Sequence, residues 1–295
     1  MIDDAVSAAV RTLRTDRVHG AMELALQAVA SAVDLLVAHP ERDVRQVAHA
    51  LITARPSMAA IGNAVALTLA PIADDHAARG ALGARATTLR QQWVADGERL
   101  TAIAALHIPR DILTYSHSSS TRNALLAAKD RLRTVIIPEG RPVDDGKALA
   151  RLLAAAGIPV TVITEAQVGR WVREVDAVLV GADTVAPDGS VYNHMGTATL
   201  ALLAREYGTP AYSLTHTIKI APYDRPADME EENDPGEVWA DPPPGITVRN
   251  PAFDRTPADR ITVLTEHGIL TNTLRATLVA AHRAAWETLG LFESW

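Results

Sequence analysis

Ala177-Val178-Leu179-Val180-Gly181-Ala182-Asp183 decides how this chain is read. An unbroken apolar run ending at a glycine predicts a strand buried on both faces rather than one half open to water. Buried parallel strands bring ligand groups together beyond their carboxyl ends, so Asp183 either caps a turn or faces a ligand. Just downstream, Asn193-His194-Met195-Gly196-Thr197 reads as a polar, glycine-containing turn that enters the helical pattern Thr199-Leu200-Ala201-Leu202-Leu203.

The same alternation recurs on both sides of this stretch. Short apolar runs at 112–115, 134–137 and 160–163 precede it, and runs at 211–214 and 261–264 follow. Segments of helical length, 118–131 and 145–156, separate the first of them. Strand and helix alternating at this spacing predict an α/β fold with a mainly parallel, doubly wound sheet. Upstream of Ile108-Pro109-Arg110 the character differs. Amphipathic helical spacing covers 21–38, 44–54 and 87–106, with Pro40, Pro56 and Pro71 between helices and no strand signal. The expected organisation is a helical N-terminal domain over 1–108, then the sheet domain over 109–295. The segment 222–245, with Glu230-Glu231-Glu232 and Pro242-Pro243-Pro244, breaks the alternation and is read as an excursion over a pocket or a dimer interface rather than a solvated loop.

Composition narrows the function classes. With 295 residues, 48% hydrophobic and 21% charged, the chain has ample material for a globular core. A net charge of -7 argues against general binding to nucleic-acid backbones. The absence of cysteine removes disulfides, thiolate nucleophiles and thiolate-bound zinc. No signal-peptide pattern or long uninterrupted apolar stretch is present, so the expectation is a cytoplasmic protein with no membrane or nucleic-acid partner.

The residues just past each strand nominate a site. After the first comes Ser116-His117-Ser118-Ser119-Ser120-Thr121, entering a helix, where hydroxyls and free backbone N–H groups suit a phosphate better than a simple cap requires. After the second comes Glu139-Gly140-Arg141-Pro142, whose arginine can fork onto a phosphate or carboxylate. Asp183 follows the fourth, and His216 and Lys219 follow the fifth. Hydroxyls, a guanidinium, a carboxylate and an ammonium converging from four strand ends indicate an anionic, hydroxyl-rich small molecule, which a sugar phosphate fits best.

Gly181-Ala182-Asp183, Asn193-His194-Met195-Gly196-Thr197 and Asn250-Pro251-Ala252-Phe253-Asp254-Arg255-Thr256-Pro257 resemble the signatures of one superfamily. It holds methylthioribose-1-phosphate isomerase, ribose-1,5-bisphosphate isomerase and the alpha, beta and delta regulatory subunits of the eukaryotic translation initiation factor 2B. The resemblance extends from about Arg17 to the C-terminus. Arg55-Pro56-Ser57 is most similar to the Arg-Pro-Thr of archaeal-type ribose-1,5-bisphosphate isomerases. The resemblance implies a helical domain joined to a Rossmann-like one, a homodimer, and no cofactor. It implies Asp183 as a catalytic acid, with Ser116 on the position of a catalytic cysteine. It further implies substrate-binding roles for His19, Gly20, Ala21, Arg55, Ser118, Ser119, Ser120, Arg141, Asn193, His194 and Lys219.

The sequence departs from that pattern in three places. Ser116 lacks the thiol, His19-Gly20-Ala21 stands where the isomerases have Arg-Gly-Ala, and His194 replaces a lysine. Each histidine exchanges a permanent cation for a group mostly neutral at pH 7. A serine hydroxyl is a far weaker acid than a thiol and needs an activating neighbour. The spacing of His19, His117, His194 and His216 fits no common metal-ligand pattern, so no metal is expected. Two functions follow: an aldose–ketose isomerase acting on a phosphorylated pentose, or a non-catalytic regulatory or ligand-sensing subunit, whose version of this strand end Tyr115-Ser116 resembles equally well.

Overall fold

The computed structural model describes residues 4–73, 77–223 and 231–292. Among these, everything before Asp111 is helical or loop: α1 (Asp4–Thr15), α2 (Ala21–Ala38), α3 (Val44–Ile52), α4 (Ala59–Leu69) and α5 (Leu82–His107). Local chemistry sets the starts. Asp43 accepts from the amides of Arg45 and Gln46 ahead of α3, and Glu23 reaches back to the Gly20 amide ahead of α2. Helix α4 is buried on nearly all sides, and Gly62 lets the Trp286 indole lie on it, since a Cβ there would sit 2.4 Å from Cζ2. Helix α2 alone among the described helices is long and apolar enough to cross a bilayer; here Leu24, Ala28, Ala32 and Leu36 are buried in the core.

The strands are β1 (Asp111–Thr114), β2 (Thr134–Pro138), β3 (Val160–Ile163), β4 (Ala177–Val180), β5 (Thr184–Val185), β6 (Val191–His194), β7 (Ala211–Leu214), β8 (Phe253–Thr256), β9 (Thr262–Thr265) and β10 (Gly268–Ile269). The remaining helices are α6 (Ser119–Ala127), α7 (Asp145–Ala155), the single turn α8 (Val168–Trp171), α9 (Thr197–Tyr207) and α10 (Asn272–Thr288). The larger sheet runs β10-β9-β7-β4-β1-β2-β3 and is parallel except where β10 folds back on β9. Alternate side chains serve opposite faces. Ile112, Val135, Ile137 and Leu179 pack with α5, α6 and α7, whereas Leu113, Ile136, Val178 and Val180 pack towards α8 and α9. The helical region's core also takes in Ile218, Tyr223, Trp286 and Leu289 from the far end of the chain.

Three features differ from the sequence reading. A second, antiparallel sheet, β5-β6-β8, pairs Asn193 with Asp254 and His194 with Phe253. Asn193 and His194 are thus strand residues, and only Met195-Gly196 turns into α9. The C-terminal helix α10, over Asn272–Thr288, is an element the sequence reading did not include. The excursion read at 222–245 is partly ordered: residues 231–233 pair with 250–252, and a short 3-10 turn covers Pro235–Glu237. Its residues 224–230 lie outside the described residues.

Candidate functional site

Strand order reverses between β1 and β4. From β1 the chain builds outward through β2 and β3, and from β4 it builds the other way through β7 and β9. The loops leaving β1 and β4 diverge at such a point and leave a crevice at the carboxyl edge. Register places the residues beyond Thr114 beside those beyond Leu179, which brings Ser116–Ser118 alongside Gly181–Asp183. The absence of a side chain at Gly181 makes room: a Cβ there would lie 2.5 Å from Ser118 Oγ and 3.8 Å from Asn193 Oδ1.

Asp183 follows β4, and its amide donates to the Tyr192 carbonyl at 2.9 Å, which turns the chain into β5. Burial holds the Asp183 carboxyl above the usual aspartate range, and the charges of Lys219, Arg55 and His194 oppose that rise. Lys219, on the 3-10 turn after β7, is buried and donates from Nζ to the Ala182 carbonyl at 2.6 Å. Burial lowers its ammonium pKa, and Asp183 opposes that shift. An acid and an ammonium whose ordinary values are pulled towards each other are suited to exchanging protons with a ligand.

The helical region supplies Arg55 to this edge. Thr184 Oγ1, immediately after Asp183, donates to the Ser57 carbonyl and accepts from the Ala59 amide, both at 2.9 Å. Arg55 is buried; its guanidinium donates to the Asp16 carbonyl at 2.9 Å and to Glu231 Oε1 at 2.6 Å, and its Nε has no partner. Ser57 Oγ donates to the other Glu231 oxygen, and Arg17 donates to Oε1 at 3.0 Å. Asp16 also accepts from His19 Nδ1 at 2.7 Å, and that bond raises the His19 pKa. His19-Gly20-Ala21 therefore joins Arg55 through one shared aspartate, with Gly20 capping α2.

Ser118 caps α6 by accepting from the Thr121 amide at 3.4 Å, and Ser120 is buried behind it. Ser116 takes φ 64°, a left-handed conformation that costs a serine about 1–2 kcal/mol. Ser119 borders a cavity of about 670 Å3 between α2, α5 and α6, with Met22, Leu26, Trp93 and His216 among its walls. That cavity is mainly apolar and does not include Asp183, so the polar cluster rather than this hollow marks the candidate site. Asn193 is buried and donates to Thr197 Oγ1 at 2.9 Å. His194 packs edge-on to Tyr115, with ring centroids 5.4 Å apart, and its Nε2 lies 3.8 Å from Asp145 Oδ2.

Asp183, Lys219, Arg55 and His194 form one electrostatic cluster, and Ser118, Gly181 and Asn193 form a contact beside it. Arg141 is exposed beyond β2; its backbone amide donates to Glu165 Oε1 at 3.1 Å. Sequence reasoning missed Glu231, Asp145 and Asp254. Asp254 accepts from the Gly196 amide at 2.7 Å and the Ala198 amide at 3.1 Å, so the start of α9 is already capped. The motif 250–257 contained that signal, since an acid opposite Asn193 is what an uncapped helix start needs. Among the described residues no cluster of three or more His, Asp or Glu side chains is placed to hold a metal ion.

Acid, ammonium, guanidinium and hydroxyls thus gather at the switch point of a doubly wound sheet, the place where open α/β proteins bind their ligands. The chain belongs to the initiation factor 2 subunit family, whose model matches residues 11–272. It is 34% identical over 250 residues to the ribose 1,5-bisphosphate isomerase of Haloterrigena turkmenica, covering 77% of this chain and 76% of that one. It is 43% identical over 148 residues to the methylthioribose-1-phosphate isomerase of Syntrophotalea carbinolica, covering 46% of this chain and 43% of the other. The solved structure of translation initiation factor eIF-2B from Pyrococcus horikoshii matches with a TM-score of 0.78 at 30% identity, over 91% of this chain and 97% of that one. The family thus spans proteins named as sugar-phosphate isomerases and proteins named as initiation factors.

Proposed function

We propose that the chain is an aldose–ketose isomerase acting on a phosphorylated pentose, with Asp183 as the catalytic acid–base group. The observation that carries the reading is Asp183 itself: a carboxyl raised by burial, beside a buried ammonium and a buried guanidinium, at the sheet's switch point. Isomerising an aldose to a ketose moves a hydrogen from C2 to C1 and leaves the carbonyl at C2. It needs one group that removes a proton beside the developing carbonyl and one that donates to oxygen. Asp183 and Lys219 are suited to that relay, Ser118–Ser120 with the α6 amides to a phosphate, and Asn193 to a sugar hydroxyl. Ser116 stands where related isomerases carry a thiol and acts here as a hydrogen-bonding group. Asp183→Asn tests the assignment, because the amide keeps the shape but cannot carry the proton. Turnover of pentose phosphates falls at least about a thousandfold while calorimetric binding changes less than about threefold. Loss of binding and turnover together contradicts it.

A second reading, a non-catalytic regulatory or ligand-sensing subunit, is favoured by Ser116, which supplies no thiol to the crevice. It requires ligand binding without conversion. In either case the chain is expected to form a homodimer through its C-terminal half, with an isologous interface. Light scattering at micromolar concentration checks this, and a monomer overturns it.

A further inference from the structure

We propose that Glu231 sets the number of phosphates the site accepts. Its carboxylate fills, from within the chain, the anion seat made by Arg17, Arg55 and Ser57, so the crevice takes a pentose monophosphate and excludes a 1,5-bisphosphate. The inference rests on the sugar-phosphate reading and adds the charge of the substrate to it.

The contacts are those of a bound anion. Glu231 Oε1 accepts from Arg55 at 2.6 Å and from Arg17 at 3.0 Å, and Oε2 accepts from the Ser57 hydroxyl. Two guanidiniums and a hydroxyl converging on one group is how proteins grip phosphate oxygens. Arg55 is only 6% exposed, and its Nε still lacks a partner, so the seat retains a donor that the carboxylate does not use. A tetrahedral anion with a third oxygen would use it.

Glu231 is also held from behind. Its carbonyl accepts from the Ala252 amide at 2.7 Å, the Asn233 amide donates to Asn250 at 2.8 Å, and Glu232 accepts from the Asn250 amide at 2.9 Å. The Ala252 carbonyl in turn accepts from Met195, beside His194 in the site, at 3.0 Å. The carboxylate thus sits in a fixed register beside Asp183 rather than on a free end.

The remaining charges point the same way. Arg17 and Arg55 share the single Glu231 carboxylate, and Lys219 faces Asp183. On the His194 side, Glu165, Asp145 and Asp254 act on Tyr115, and each is an acid. One phosphate can be accommodated at the hydroxyl run by Ser118–Ser120 and the α6 amides. A second would meet the Glu231 carboxylate at the Arg17–Arg55 pair.

Calorimetric titration of ribose 1-phosphate and ribose 1,5-bisphosphate into the wild-type chain and into Glu231→Gln tests this. The wild type is expected to bind the monophosphate at least about tenfold more tightly than the bisphosphate. Glu231→Gln should raise bisphosphate affinity about tenfold or more and change monophosphate affinity less than about threefold. Equal or tighter binding of the bisphosphate by the wild type overturns the proposal, and that comparison needs no variant to fold. A Glu231→Gln chain that binds both ligands more weakly makes Glu231 a purely structural ion pair and also overturns it. If the wild type binds neither sugar phosphate, the functional reading falls and this inference with it; binding of the bisphosphate alone removes only the inference.

Discussion

Thr184 clasps Ser57: its hydroxyl donates to the Ser57 carbonyl at 2.9 Å while accepting from the Ala59 amide at 2.9 Å. This pair ties the turn carrying Arg55 to the strand that begins one residue after Asp183, and all the atoms involved are buried. Valine at 184 keeps the shape and leaves one donor and one acceptor unpaired. Thr184→Val is therefore expected to cost about 1–3 kcal/mol in urea unfolding. It should also narrow the preference for a monophosphate over a bisphosphate, because the turn that carries Arg55 loses its anchor and the Arg55–Glu231 contact shifts with it. An unchanged preference in a destabilised chain would detach Arg55 from the ligand site.

Gly181→Ala tests the contact between the two loops at the switch point. The new methyl would press on Ser118 Oγ at 2.5 Å and Ser118 Cβ at 2.6 Å. Displacing Ser118 removes the α6 cap, at about 1–3 kcal/mol of stability. Calorimetry should show phosphate-ligand affinity falling at least about tenfold. Wild-type binding by this variant would move the phosphate away from Ser118.

The pH dependence of stability should carry the mark of His216. Burial, assisted by the Lys219 charge, lowers its pKa to about 4 from an ordinary 6.5. Between those values the unfolded chain binds more protons than the folded one, so stability falls as pH drops. The loss across that window is about 3 kcal/mol for this residue. His216→Asn should flatten the curve between pH 6.5 and 4 while leaving its slope above pH 7 unchanged. A variant with the same acid limb as the wild type would assign that limb elsewhere.

The main sheet was legible because its strands are apolar runs. The strand at 160–163 has the bounds its sequence suggests, and β1, β4 and β9 differ by a residue at one or both ends. The β5-β6-β8 sheet was not legible. β5 is two residues long, Tyr192-Asn193-His194 dominates β6, and Phe253-Asp254-Arg255-Thr256 offers no apolar stretch. Their pairing depends on contacts across about sixty residues that periodicity cannot report. The site divided in the same way. Asp183, Ser118 and Lys219 follow strand ends and could be found by position. Glu231 lay in a segment read as an excursion over a pocket or a dimer interface, and its place on Arg55, 176 residues away, is tertiary information.

The central claim is that this crevice converts a phosphorylated pentose. The most direct test is 13C NMR of the purified chain incubated with ribose 1-phosphate carrying 13C at C2. The account predicts that the C2 signal moves to the positions of a ketone and its cyclic hemiketals at a rate proportional to protein concentration, and that it stays in place with Asp183→Asn. A wild-type chain that binds the sugar phosphate but leaves C2 unchanged, and for which Ser116→Cys is equally silent, would contradict the isomerase account and leave a ligand-sensing subunit.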